Sequence, residues 1–144
     1  MSRQMEENNI IKKYIAIVKG HFKELEGTID LPIGQEEGDI RRIVNTEGYA
    51  SVTHYKVIRQ FEKDYSMVQL ILETGRTHQI RVHLKHIGHP IVSDSLYGDA
   101  EPHLISRQAL HAEYLSFNHP IGKHKVEVYA KIPEDIEKLI RLIG

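Results

Sequence analysis

The sequence contains no cysteine and no tryptophan, and only three phenylalanines and five prolines among 144 residues. Without cysteine there is no disulfide, no thiol nucleophile and no thiolate-ligated metal, a composition that fits a reducing compartment. No apolar run approaches the roughly 20 residues that a bilayer-spanning helix requires, and no apolar h-region follows Met1. The expectation is therefore a soluble, cytoplasmic chain with neither membrane span nor signal peptide. Charge of one sign is not in excess either: 19 basic residues stand against 20 acidic ones, so bulk electrostatics does not announce a nucleic-acid partner. A phosphate-loop signature, a Gly-x-Gly-x-x-Gly run and a Gly-x-Ser-x-Gly elbow are all missing, which leaves the common nucleotide-binding and hydrolase motifs without support.

What is present suits a single domain able to bury a core, with 40% hydrophobic and 27% charged residues. Charge is unevenly spread. Residues 1–73 hold ten Lys and Arg against twelve Asp and Glu, whereas residues 74–125 hold six against four and eight of the ten histidines. Partial protonation there adds positive charge below about pH 6.5, so the middle of the chain is where a polyanion or chemistry is expected.

Periodicity sketches the elements. Residues 1–9 lack apolar spacing and read as a loose tail or a helix end. Tyr14 to Val18 read as a buried strand, and Gly27 to Gly38, with Pro32, Gly34 and three acids, as a turn-rich loop. A short strand is expected over Arg41 to Val44. The alternating stretches Ser51 to Phe61 and Ser66 to Leu72 read as an antiparallel hairpin across Glu62 to Asp64. Ile80, Leu84 and Ile87 then mark an amphipathic helix that begins after Gly75 and ends at Gly88, with His78, Arg81 and Lys85 on its polar side. Two further strands, Leu110 to Phe117 and Lys125 to Ile132, turn around Pro120 and Gly122. Pro133 opens a last helix with the stripe Ile136, Leu139, Ile140 and Ile143.

The densest polar constellation is Thr74-Gly75-Arg76-Thr77-His78-Gln79-Ile80-Arg81-Val82-His83. A capping Thr77, free first-turn N–H groups and Arg76 would make an anion seat, and Arg81 offers a fork for a carboxylate or phosphate. An ordinary capped helix with a solvated basic face explains the same spacing. A metal site from His78, His83, His86 and His89 is a weaker reading, because His78 points about 140° from His83 on the helical wheel and no carboxylate sits at a matching offset.

This run, followed by Gly88-His89-Pro90-Ile91-Val92, Asp94, Leu96-Tyr97-Gly98, Arg107-Gln108-Ala109-Leu110-His111-Ala112 and His119-Pro120, resembles the RluA-type RNA pseudouridine synthases. Upstream, Lys13 to Gly20, Gly27 to Asp30, Pro32 to Gly34, and Ala50, Thr53 and Tyr55 extend the resemblance over nearly the whole chain. It implies a cofactor-free, metal-free isomerase that flips a uridine out of structured RNA, ribosomal or transfer, and rejoins its base through C5. It further implies that Tyr14 stacks on the base and takes part in proton transfer. Arg81 would pair with the catalytic aspartate, Leu110 would form an apolar wall, and Arg76, Thr77, His78, Gln79, Arg107 and His111 would line the RNA-facing side.

The family's aspartate lies in a His-Arg-Leu-Asp segment upstream of the Lys13-Tyr14 position, and that segment is absent from this sequence. The nucleophile, and with it the partner of Arg81, is expected to lie outside residues 1–144. The chain reads as the second half of a catalytic domain, inactive by itself. Its fold should be α+β, a mixed and mostly antiparallel sheet with packed helices. Exposed edges or apolar surface would favour self-association or docking of a separately supplied first half. An RNA-binding remnant without chemistry and a histidine-rich metal-binding domain are the alternatives.

Overall fold

A computed structural model describes residues 10–35, 37–119, 121–122 and 124–144. The expected tail at residues 1–9, and Pro120 of the expected turn, lie outside the described residues. Among the described residues, eight strands and two helices follow in order: β1 (Ile11–Lys19), β2 (Glu26–Asp30), β3 (Ile33–Gln35), β4 (Arg42–Val44), β5 (Val52–Gln60), β6 (Tyr65–Leu72), α1 (Gln79–His86), β7 (Leu110–Asn118), β8 (Lys125–Tyr129) and α2 (Glu134–Ile143). Six strands form one sheet in the order β2-β5-β6-β1-β7-β8, and β3 pairs with β4 in a separate hairpin. Every one of these strand pairs is antiparallel, so the α+β expectation holds with a sheet more uniform than the mixed one anticipated.

The central strand explains why the sheet is buried where it matters. Ile15, Ala16, Ile17 and Val18 are all at most 3% exposed, and since neighbours in a strand point to opposite faces, both faces of β1 are covered. On β6 the alternation is strict: Ser66, Val68, Leu70 and Leu72 are buried while Tyr65, Met67, Gln69 and Ile71 are only half-buried. Register places Ala16 opposite Val68 and Tyr14 opposite Leu70. Ile80 and Leu84 of α1, Ile91 and Val92 of the following segment, and Ile136, Leu139 and Ile143 of α2 join these side chains in one apolar cluster. Each fully buried aliphatic side chain contributes about 1.5–3 kcal/mol.

Two local expectations are corrected. The stretch expected to be a loop, Gly27 to Gly38, contributes β2 and β3. Ile29 and Ile33 are buried, and pairing with β5 and β4 outweighs the local turn signals of Pro32 and Gly34. Helix α1 starts at Gln79 and not directly after Gly75, and Thr77 does not cap it. The N-cap is His78, in a left-handed conformation at φ 56°, with no side-chain cap. The other end follows expectation. Gly88, at φ +90°, lets its own N–H reach the Lys85 carbonyl (3.1 Å) and that of His89 the Leu84 carbonyl (2.9 Å), a Schellman closure.

Candidate active site and its comparison with known proteins

Three elements converge on one pocket of about 270 Å³ lined by Tyr14, Leu72, Arg76, His78, Gln79, Ile80, Arg81, Gln108 and Leu110. β1 contributes Tyr14, the loop and first turn of α1 contribute Arg76 to Arg81, and β7 contributes Leu110. Register accounts for the meeting of the strands: Tyr14 pairs with Ala112 and Ala16 with Leu110, so Tyr14 and Leu110 share a face. Burial raises the Tyr14 phenol above its ordinary value, which keeps it neutral at physiological pH.

Arg81 has a partner inside the chain, contrary to the expectation that its carboxylate lies elsewhere. Its Nε donates to Asp94 Oδ2 (2.9 Å) and its Nη2 to Oδ1 (2.7 Å). Asp94 is 1% exposed at the side chain and Arg81 15%, and the carboxylate also accepts the backbone N–H groups of Leu96 and Tyr97. Burial by itself pushes the Asp94 carboxyl up, but the Arg81 hydrogen bonds, the two backbone donors and the Arg81 charge outweigh it and hold it below the usual range. Arg81 is correspondingly held further in its charged form by Asp94. Nη1 makes no hydrogen bond among the described residues, so one prong of the fork is left.

Tyr97 joins this pair to the helix start. Its ring lies 5.2 Å from the Arg81 guanidinium, and its hydroxyl accepts the Arg42 backbone N–H (2.8 Å) while bonding Nδ1 of His78 (2.8 Å). Burial first, then the charges of Arg81 and Arg42, lower the His78 pKa.

The remaining expected site residues divide. Arg76 lines the pocket, anchored by its Nε to the Ala50 carbonyl (3.0 Å) and lying 5.2 Å from the Tyr49 ring. Thr77 is exposed beside it. Gln79 lines the pocket and is at the same time tied into the interior, at 2% exposure. Its Oε1 accepts the Thr74 hydroxyl (2.7 Å) and the Arg76 N–H (3.1 Å), and its Nε2 donates to the Val52 carbonyl and to Thr53 Oγ1 (both 2.9 Å). The Arg76 N–H imagined as part of an anion seat is thus already taken.

Arg107 does not line the pocket. It is tied to Asp135 of α2 at 2.8 and 3.1 Å and to the Gln108 and Leu110 carbonyls. His111 is corrected as well: it pairs across from Ile15, so strand alternation turns it to the face opposite Tyr14 and Leu110, where its Nε2 bonds the Ala130 carbonyl.

The metal reading loses its ligands to structure. Both ring nitrogens of His83 are engaged, Nε2 donating to the Leu31 carbonyl (2.8 Å) and Nδ1 accepting from the Thr53 hydroxyl (2.8 Å). Among the described residues no group of three histidines and acids converges. The residues that sequence reasoning passed over, Leu72, Ile80 and Gln108, lie inside or next to the quoted motifs. Asp94 and Tyr97 were within those motifs but without an assigned role.

A half-buried tyrosine, an apolar wall and a cationic rim make a pocket suited to a flat polar ring in a negatively charged polymer. The RNA pseudouridylate synthase family matches residues 1–86, more than half of the chain, and the chain belongs to that family.

Relatives agree. An uncharacterized RNA pseudouridine synthase of Bacillus subtilis, YjbO, is 44% identical over 138 residues, covering 94% of this chain and 48% of the relative. The ribosomal large subunit pseudouridine synthase D of Zymomonas mobilis is 35% identical over 154 residues, covering 99% and 48%. Among solved structures, Human RNA Pseudouridylate Synthase Domain Containing 1 superposes with a TM-score of 0.74 at 33% identity over 90% of this chain and 57% of that one. The chain spans about half the length of the curated relatives it matches. No helix among the described residues is long and apolar enough to cross a membrane.

Proposed function

We propose that residues 1–144 form the second half of the catalytic domain of an RluA-type synthase that converts uridine to pseudouridine in structured ribosomal or transfer RNA, in the cytoplasm. The observation that carries this reading is the convergence of Tyr14, Arg81 and Leu110 from β1, α1 and β7 on one pocket. A flipped uracil enters between the Tyr14 ring and Leu110. The N1–C1′ bond breaks, the base turns, the C5–C1′ bond forms, C5 gives up its proton and N1 gains one. Tyr14 stays neutral and is placed to stack and to pass a proton.

Asp94 holds one edge of the Arg81 fork, which leaves Nη1 to orient a second carboxylate, the nucleophile, contributed from outside residues 1–144. Edge strand β8 exposes Val128 and Tyr129, 50% and 72%, and an open edge of this kind is a pairing site. We assign it to that first half. Dimerisation of the chain alone, seen by light scattering, would instead favour self-association.

The test is tritium release from RNA labelled at uridine C5, with the chain alone and with the other half of the Bacillus subtilis relative supplied in trans. Release only in the complemented mixture supports the reading. Release by the chain alone overturns the assignment of the nucleophile to another segment, and no release in either case overturns the synthase assignment.

A further inference from the structure

A second cavity, of about 610 Å³, lies between the β3–β4 hairpin and the last turn of α1. Val44, Val82, Leu96 and Tyr97 form its floor, and Arg41, Arg42, Lys85 and His86 its rim. Asp39, the only acid among its described lining residues, is held by Arg41 at 2.8 Å. Lys85 and His86 are exposed and make no side-chain hydrogen bond or ion pair among the described residues. Among the described residues, the Arg42 guanidinium donates only to the Ile40 carbonyl, at 3.0 Å. Favourable interaction with the α1 dipole explains why Lys85 and His86 sit at the helix C-terminus. It does not explain why a separate hairpin brings two arginines to face them.

We propose that this groove seats the phosphodiester backbone of the RNA strand whose uridine enters the Tyr14–Arg81 pocket; the inference rests on that reading and extends it. Tyr97 is the wall between the two cavities. It lines the groove, while its ring carries Arg81 and its hydroxyl bonds His78, both of which line the pocket. A strand leaving the pocket over Tyr97 meets the uncompensated cations Arg42 and Lys85 directly. Lys85 lies one helical turn beyond Arg81 on the same side. The groove offers charge and an apolar floor, with no array of donors and acceptors for base edges. That suits contact to phosphates, which fix register without reading sequence. The same cations would also attract an acidic polypeptide, so the test carries that arm.

The experiment is filter binding of an in vitro transcribed ribosomal RNA stem-loop to the full chain between 0.1 and 1 M NaCl. It compares wild type, Lys85→Gln, Arg42→Gln/Lys85→Gln and Lys85→Glu, with polyglutamate as the competing polyanion. Both side chains are partly or fully exposed, and the Arg42 N–H that meets Tyr97 is backbone, so thermal midpoints should stay within a few degrees, which circular dichroism checks. Loss of two phosphate contacts lowers the slope of log affinity against log salt by about 1.4–1.8. Wild type and double variant should therefore converge at 1 M and differ by about 25- to 60-fold at 0.1 M. Lys85→Glu should weaken binding more than the neutral change at that position.

An unchanged slope and affinity, a wild type that does not bind RNA, or a loss confined to polyglutamate overturns the proposal. A lowered slope without tritium release from the complemented mixture leaves the groove standing and removes the synthase reading. Release with an unchanged slope does the reverse.

Discussion

Replacing Asp94 by asparagine preserves the shape of the side chain and an acceptor for the Leu96 and Tyr97 N–H groups, but removes the charge opposite Arg81. Removing one partner of a buried ion pair costs about 3–5 kcal/mol. Here two of the four bonds to the carboxylate are to backbone donors that asparagine can still serve, and Arg81 keeps an open edge. The expected cost at pH 7 is therefore nearer about 2–3 kcal/mol, a fall in Tm of about 5–10 °C for a chain of this size.

The pH dependence follows from the direction of the Asp94 shift. Its folded-state value lies below the ordinary one. The stabilisation is complete above the unfolded value near 3.9 and is lost as the pH falls through the folded value. Urea unfolding at pH 7 and in a series down to pH 3 should show the gap between wild type and Asp94→Asn closing in acid. A double-mutant cycle with Arg81→Met should give a coupling of about 1.5 kcal/mol or more. A cost below about 1 kcal/mol at pH 7, or a gap indifferent to pH, would refute the claim that Asp94 seats Arg81.

Gln79→Ala should cost about 2–4 kcal/mol in urea unfolding, since it strips partners from Thr74, Thr53 and two backbone groups at once. It should also loosen Arg76, raising KM for RNA in the complemented reaction. Gly48→Ala should destabilise by about 1–3 kcal/mol, because a Cβ there would stand 2.4 Å from the Ile33 carbonyl group and backbone cannot swing aside; a melt within one degree of wild type would contradict the β3 placement. His111→Ala, on the far face of the sheet, should leave tritium release within about two- to threefold of wild type. A hundredfold loss would mean that the family resemblance placed this residue better than strand parity does.

The contrast between Ile15–Val18 and Gly27–Gly38 shows what a linear sequence carries. β1, the β5–β6 hairpin and the α2 stripe were readable because their signals are local, an apolar period of one or two turns bounded by Gly, Pro or charge. β2 and β3 were not, because what makes them strands is pairing with β5 and β4 and the burial of Ile29 and Ile33, against local turn chemistry. At the site, the motif run singled out Tyr14, Arg81 and Leu110, which the structure brings to one pocket. The Arg81–Asp94 pair was not, since the two are joined across Schellman turn and irregular chain with no periodicity to reveal their approach.

Gln79 has a second role that the motif run did not show: Thr53 and Val52 of β5 and Thr74 of the segment after β6 supply it with an interior set of partners. His111 is a different case: its orientation was available from Leu110, since adjacent residues of one strand cannot both face the pocket.

The central claim, that Arg81 beside Tyr14 and Leu110 serves uridine isomerisation, is tested most directly by tritium release from C5-labelled RNA in the complemented mixture, with wild type against Arg81→Ala. The variant's fold is checked by its far-ultraviolet spectrum, and assays are run below its measured Tm. The account expects release by wild type and a loss of at least about 100-fold with Arg81→Ala, the scale of removing a preorganised charged donor. Release undiminished by Arg81→Ala would contradict it.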